Sequence, residues 1–264
     1  MEELYTKIKD YYNTDNEEIR LKQKNASIEF LNTCEVLKRY ITPQSTILDC
    51  AAGAGGYLDF YLQCGCNTIV ASDLSEHNVD YMKQHYADHS NILFHTNNAI
   101  DLRMYSDASF DTVVCMGPLY HLRPNDGIRC LSECVRVTKP GGTIVVAYMN
   151  RYFMLWYLLN NQLYKYSIDE IDYLAENGFL ENGQRFLGCA YFSFPEEIES
   201  MVSKVEGCKI EEHLAIDGCL GLIYDKINDC DDGDVRKINS MFKRVNVASA
   251  LGASKHNLLV LRRE

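Results

Sequence analysis

Ile47-Leu48-Asp49-Cys50-Ala51-Ala52-Gly53-Ala54-Gly55-Gly56 passes from an apolar stretch through one carboxylate into a series of small residues. A turn with so few side chains, set ahead of the helix-like Tyr57-Leu58-Asp59-Phe60-Tyr61-Leu62, lets backbone amides come close to a ligand. A second carboxylate, Asp73, ends the next β-branched run, Thr68-Ile69-Val70-Ala71-Ser72, 24 residues after Asp49. An acid ~20 residues past the first strand is placed to bind a ribose diol, and a carboxylate suits that task because its oxygens only accept hydrogen bonds. Ser75-Glu76 reads as the cap of the following helix, which relieves Asp73 of a capping role. The loop lacks the Gly-Lys-Ser or Gly-Lys-Thr ending of a Walker loop. From Ala51 it reads Ala-x-Gly-x-Gly-Gly, which does not fit the Gly-x-Gly-x-x-Gly of dinucleotide folds. Further on, Tyr120 and His121 follow a third apolar run. An imidazole there can take a proton from a hydroxyl or an amine near neutral pH, and an orienting or structural histidine is the other reading.

These residues need a scaffold, and residues 46–148 supply its pattern. Short β-branched runs alternate with helical ones, as in a parallel sheet covered on both faces. The expected strands are Ile47–Asp49, Thr68–Asp73, Asn91–His95, Thr112–Met116 after a turn at Asp107–Asp111, and Thr143–Tyr148 after Thr138-Lys139-Pro140-Gly141-Gly142. Ligands of open parallel sheets sit at the carboxyl ends of the strands, where Asp49, Asp73, Tyr120 and His121 all fall. Residues from Glu2 to about Arg39 read as helices, with Ile28, Leu31, Cys34, Val36 and Leu37 forming the apolar stripe. A helix from Pro195, a strand at Lys209–Ala215 and a final strand at Asn257–Leu261 complete the pattern.

In its loops the chain resembles the class I S-adenosylmethionine-dependent methyltransferases. Their first motif is an acid followed by Gly-x-Gly-x-Gly, matched here by Asp49 with Ala51, Gly53 and Gly55; Ala51 departs from the pattern. Asn97-Asn98-Ala99-Ile100-Asp101-Leu102 stands where those enzymes carry Gly-Asp-Ala and an acidic-Leu pair. Ser109-Phe110-Asp111 and Lys139-Pro140-Gly141-Gly142 resemble the approaches to their fourth and fifth strands, and Gly117-Pro118-Leu119-Tyr120-His121-Leu122 resembles a bacterial small-molecule or uncharacterised group. The resemblance implies S-adenosylmethionine as methyl donor, S-adenosylhomocysteine as product, and direct displacement by a small-molecule acceptor. Asp73 would hold the ribose, Asn98 and Ala99 the adenine, and the Ala51–Gly55 backbone the methionine part. Leu74, Ile100 and Met116 would lie beside the cofactor, and Tyr12 would cover it from an N-terminal segment. Tyr120 and His121 would steer the nucleophile.

It also implies an α/β fold: a Rossmann-like seven-stranded, mostly parallel sheet with its last strand antiparallel. The parts would be an N-terminal helical cover over 1–42, a core of 43–149 and 195–264, and a helical substrate lid over 150–194. That lid is rich in aromatic residues such as Tyr152, Trp156, Tyr164 and Phe186, which suit an apolar or cationic acceptor. Ser254 and His256 would then stand at the rim of the site. Rival readings are a non-catalytic binder of the same cofactor and a nicotinamide-dependent oxidoreductase.

Composition narrows the partners. With 26 Lys+Arg against 37 Asp+Glu the net charge is −11, which opposes nucleic acid and anionic membranes. No apolar run reaches the ~18 residues of a membrane span, and no secretory leader is legible, so a cytoplasmic location is expected. The 11 cysteines then read as reduced thiols. Cys64-x-Cys66 and Cys130-x3-Cys134 lack a second pair at zinc spacing, so no metal is expected. The acidic run Asn228–Asp234 lacks the alternation of a calcium loop and reads as solvated.

Overall fold

The computed structural model describes residues 2–14, 24–161, 163–181, 183, 185–243 and 248–264. Two helices come first, α1 (Glu2–Thr14) and α2 (Lys24–Leu37). The residues between them lie outside those described. Then follow β1 (Thr46–Asp49), α3 (Leu58–Gln63), β2 (Thr68–Asp73), α4 (Glu76–His85), β3 (Ile92–Thr96), β4 (Phe110–Cys115), α5 (Pro124–Val137) and β5 (Thr138–Met149). The second half holds α6 (Arg151–Asn161), α7 (Ile168–Asn177), α8 (Pro195–Val202), β6 (Cys208–Ala215), α9 (Tyr224–Asp229), α10 (Asp232–Lys243) and β7 (His256–Arg263).

The strands form one seven-stranded sheet in the order β3-β2-β1-β4-β5-β7-β6. β1 to β5 pair in parallel, and β7 inserts antiparallel between β5 and β6. The expected sheet is therefore the observed one. Strand alternation sends Leu48, Val113, Ile144 and Leu259 to one face, where Cys130, Leu131 and Val135 of α5 and Ile198 and Met201 of α8 cover them. Ile47, Ile69, Val114 and Val145 face the other side, against Leu37 of α2, Leu58 and Tyr61 of α3, and Val79 and Met82 of α4. Both faces are buried, which is why these strands read as unbroken apolar runs.

Local chemistry sets the ends of the elements. The Ser75 hydroxyl accepts the Asn78 amide at 3.2 Å and starts α4. α7 opens on a Ser167–Glu170 capping box and stops at Gly178, whose φ is +80°. Pro195 takes the first position of α8.

Three expectations need correction. β4 begins at Phe110, inside the expected turn, and β5 at Thr138, ahead of the expected strand; the two pair at Phe110–Thr138 and again at Thr112–Thr143, with an irregularity between. Asn228–Asp234 is solvent-exposed as expected but is a loop only at its centre, where it joins α9 to α10 and the Asp231 carboxylate accepts the Asp234 amide at 2.8 Å to cap α10. Leu31 is 42% exposed, off the buried stripe of α2.

Between β6 and β7, Leu220 of the helical turn Gly218–Ile223, Ile227 of α9 and Val235 of α10 pack against Ile28 of α2. Asn32 of α2 and Asn239 of α10 exchange amide hydrogen bonds of 3.0 and 2.9 Å, and Asn32 also donates to the Ile216 carbonyl at 2.7 Å. Residues 150–194 form a separate small core of Met154, Leu158, Ile171, Leu174 and Phe192 over the end of β5. Its hub is Arg151, which is 1% exposed and donates to the Phe192, Ala175 and Glu176 carbonyls and to Glu197 Oε2 at 2.7 Å.

Candidate functional site

Small residues and strand ends make one cavity at the carboxyl edge of the sheet. Asp49, Ala51, Gly53, Asp73, Leu74, Asn98, Ala99, Met116, Tyr120 and His121 line it, with Tyr12 contributed by α1. Gly55 and Ile100 do not line it. At Gly55, φ is +85° and a Cβ would stand 2.8 Å from Leu58 Cδ1 and 3.2 Å from Met82 Cγ, so this glycine lets α3 and α4 close on the loop. Ile100 is 8% exposed and belongs to the core.

Gly53 and Asp73 are joined. The Gly53 amide donates to Asp73 Oδ2 at 2.9 Å, while Oδ1 accepts the Ser75 amide at 2.9 Å and the Asn78 side chain at 3.1 Å. The loop therefore holds the carboxylate in place at the end of β2. Gly53 has φ of +56°, and no heavy atom lies within 4 Å of where a Cβ would be, so the backbone there is bare.

Asp49 is 1% exposed. Its Oδ2 accepts the Tyr61 hydroxyl at 3.0 Å, and its Oδ1 is buried with no well-formed hydrogen bond among the described residues. Burial pushes this carboxyl up to about 7; the Tyr61 bond opposes the rise, the nearby Asp73 charge adds to it, and the Ala51 amide pulls weakly against it.

His121 has a fixed tautomer. Its Nδ1–H donates to the Cys189 carbonyl at 2.9 Å, since a carbonyl can only accept, so Nε2 carries the lone pair that receives the Tyr12 hydroxyl at 2.9 Å. Burial brings the imidazole down to about 4, against the pull of the Cys189 bond. Phe186 packs on the same ring, with centroids 5.4 Å apart, and Tyr11 packs on Phe186 at 5.7 Å. His121 is thus where α1 meets the 150–194 segment. α1 is anchored beside it by the Ser75 hydroxyl donating to Asn13 Oδ1 at 2.6 Å and by a Lys9–Glu76 pair at 3.1 Å. The Tyr120 carbonyl accepts the Tyr191 amide at 2.6 Å, a second tie to that segment.

Asn98 caps its own loop. Its Oδ1 accepts the Ile100 amide at 3.2 Å, which leaves one acceptor position on that oxygen.

Ser254 and His256 are not at a rim: both are buried. The Ser254 hydroxyl donates to Asp217 Oδ1 at 2.5 Å, and His256 Nδ1 donates to Asp217 Oδ2 at 2.8 Å. Asp217, absent from the sequence reading, gathers both polar groups inward. Glu29 and Phe30 of α2 were also missed as cavity walls. Glu29 stands 3.4 Å from His256 Nδ1, and Phe30 stacks on Tyr57 with centroids 5.2 Å apart. They are adjacent to Ile28 in the helical stripe, and that adjacency was the available signal.

Residues 47–142 match a family model described as a methyltransferase domain. Over 117 residues the chain is 28% identical to a ubiquinone biosynthesis O-methyltransferase of Xanthomonas campestris pv. campestris, covering 44% of this chain and 48% of that protein. Over 105 residues it is 36% identical to a demethylmenaquinone methyltransferase of Renibacterium salmoninarum, covering 40% of this chain and 41% of that protein. The chain thus matches less than half the length of these curated relatives. In fold it is similar to a SAM-dependent methyltransferase from Methanosarcina mazei, with a TM-score of 0.59 at 15% identity over 87% of this chain and 96% of that one. Residues 47–142 of this chain are thus similar to a methyltransferase domain, on the fold also found in S-adenosylmethionine-dependent methyltransferase structures.

Proposed function

We propose that the protein is an enzyme that transfers the methyl group of S-adenosylmethionine to a small-molecule acceptor by direct displacement. The observation that carries this reading is the charge of the cavity. Glu29, Asp49 and Asp73 line it, and among the described residues no Lys or Arg does. Such walls suit a cationic sulfonium nucleoside and oppose the pyrophosphate of a nicotinamide cofactor. The Oδ1 of Asp49, with no well-formed hydrogen bond among the described residues, and the bare backbone at Gly53 leave polar and steric room for it.

When bound, S-adenosylmethionine supplies an activated methyl group on a positively charged sulfur, to be taken by an in-line nucleophile. The chain contributes placement and charge. Asp73, fixed by three donors at the end of β2, is the carboxylate that would accept from a ribose diol. Asn98 offers its remaining acceptor position to an adenine amino group, without the charge assistance an aspartate would give. Asp49 complements the positive charge of the cofactor once ionised. Tyr12, and with it α1, closes one side against water, and Tyr120 and His121 shape the side where the acceptor enters. With its Nε2 engaged by Tyr12 and its basicity lowered, His121 acts here by positioning, and the acceptor arrives as a ready nucleophile.

Residues 1–42 are read as the cover, 43–149 and 195–264 as the core, and 150–194 as the substrate lid, the last supported by its separate small core. The two curated relatives are named for ubiquinone biosynthesis and for demethylmenaquinone, which supports apolar ring compounds as the acceptors to try first. The net charge of −11 supports a partner other than nucleic acid or an anionic membrane. No described helix is long and apolar enough to cross a membrane, and a cytoplasmic location is the accompanying proposal.

Calorimetric titration with S-adenosylmethionine and S-adenosylhomocysteine tests the reading on the wild type and on Asp73→Ala. Micromolar binding weakened at least about tenfold in the variant is expected from the lost hydrogen bonds to the diol. Absence of heat for both nucleosides overturns it. Tight binding with no turnover across a broad acceptor panel would instead favour a non-catalytic binder.

A further inference from the structure

Four of the buried cysteines converge. Cys50 follows β1, Cys115 ends β4, and Cys130 and Cys134 sit one turn apart on α5, all of them 0–2% exposed. The Sγ atoms of Cys50, Cys115 and Cys134 lie within 4.8 Å of one another, and Cys115 Sγ is 3.7 Å from Cys130 Sγ. We propose that Cys50, Cys115, Cys130 and Cys134 form a thiolate site for one zinc ion directly beneath the cofactor loop.

The geometry is the argument. Zinc binds thiolate sulfur at about 2.3 Å in a tetrahedron, which sets neighbouring sulfurs about 3.8 Å apart. The Cys115–Cys130 separation is already that edge. Within the trio of Cys50, Cys115 and Cys134 the longest edge needs to contract by about 1 Å at most, whereas Cys130, outside that 4.8 Å group, has to swing further to close the tetrahedron, a movement of side-chain rotation about Cα–Cβ. The donor set also has the right chemistry, soft sulfur from three separate elements, which a chance apolar contact does not require. Each thiol that ligates releases one proton, and Cys50 lines the cofactor cavity, so ion and protons have a path to solvent.

The site escapes a search for paired Cys-x-x-Cys motifs because positions 50, 115, 130 and 134 are brought together only by the sheet order β1-β4 and the packing of α5. An ion there would fix the ends of β1 and β4, next to Asp49 and Met116. The proposal is independent of the methyl-transfer reading.

The test uses the full chain, purified untagged without chelators from zinc-supplemented cells, with zinc counted by plasma mass spectrometry. About one zinc per chain is expected, the stoichiometry of a closed four-thiolate site. Cobalt(II) added to metal-depleted protein should give intense near-ultraviolet thiolate-to-cobalt bands, and zinc should erase them. Cys34→Ser should keep both signals, and Cys130→Ser/Cys134→Ser should lose them. The wild-type spectra stand alone should the double variant fail to fold. Little zinc with no cobalt bands, retention of zinc in a folded double variant, or a Cys115–Cys130 disulfide in the reduced preparation overturns the proposal.

Discussion

The Tyr12 hydroxyl donates to Nε2 of His121 at 2.9 Å, across 109 residues of sequence, while Nδ1 of the same ring is held by the Cys189 carbonyl. The N-terminal helix, the turn after β4 and the 150–194 segment therefore meet on one neutral imidazole. Tyr12→Phe keeps the ring packing and removes the hydrogen bond that the described residues make at Nε2. Loss of one hydrogen bond in a wall of the cavity should raise the dissociation constant for S-adenosylmethionine about five- to tenfold. Calorimetry separates this from catalysis: a large fall in kcat at unchanged affinity would instead make the Tyr12–His121 pair a proton relay.

Stability should show two opposing pH terms. His121 is lowered from 6.5 to about 4, so its contribution is complete above pH 6.5 and is lost as pH falls through 4. Asp49 is raised from 3.8 to about 7, so its contribution is complete below pH 3.8 and is lost as pH rises through 7. Each is worth on the order of 3–4 kcal/mol. Relative to wild type, His121→Gln should therefore gain stability between pH 7 and 4.5, and Asp49→Asn should lose it over the same range. Urea titrations of the three proteins at both pH values decide this.

Cofactor affinity should follow Asp49. A cationic ligand favours the ionised carboxyl, so binding takes up a carboxylate that is only half formed near pH 7. The dissociation constant should fall between pH 6 and 8, with a limiting slope of about tenfold per pH unit on the acid side. Asp49→Asn should flatten the profile. A wild-type profile that is already flat would remove Asp49 from the binding site.

The two glycines of the loop should separate binding from folding. In Gly53→Ala the methyl group meets open space, so folding loses only the positive-φ strain of about 1–2 kcal/mol, while affinity falls at least about tenfold because the bare backbone is covered. Gly55→Ala drives a Cβ to 2.8 Å from Leu58 and should cost stability by a further ~1–3 kcal/mol with a smaller effect on binding. Melting curves and calorimetry on both variants provide the comparison.

The strands and their order followed from residues such as Thr68-Ile69-Val70 and Thr143-Ile144-Val145-Val146, because a strand buried on both faces has no polar alternation to hide it. Most of the loop residues named from the sequence also line the cavity, since they end a strand or follow its carboxyl end within a few residues. What escaped has a different origin. α10 places Val235, Ile238 and Phe242 among so many polar residues that its start reads as an acidic loop. Ser254 and His256 look like rim residues until Asp217 supplies a buried partner 37 positions away from Ser254. Glu29 reads as the polar side of a helix and stands in a cavity wall because α2 crosses the sheet edge there. Contacts of this range are set by topology, which local pattern does not carry.

The reciprocal amide pair of Asn32 and Asn239 has a consequence for how a ligand would leave. Asn32 lies within one turn of Glu29 and Phe30, so the clamp between α2 and α10 steadies that wall of the cavity. Both amides are buried and uncharged, so added salt does not screen them, whereas it weakens the neighbouring Glu35–Lys243 pair of the same two helices. Residence time set at this wall should thus be indifferent to ionic strength. A salt dependence of release would report instead the charged groups: the Lys9–Glu76 pair that anchors α1, the Glu35–Lys243 pair, and the acidic cavity walls themselves.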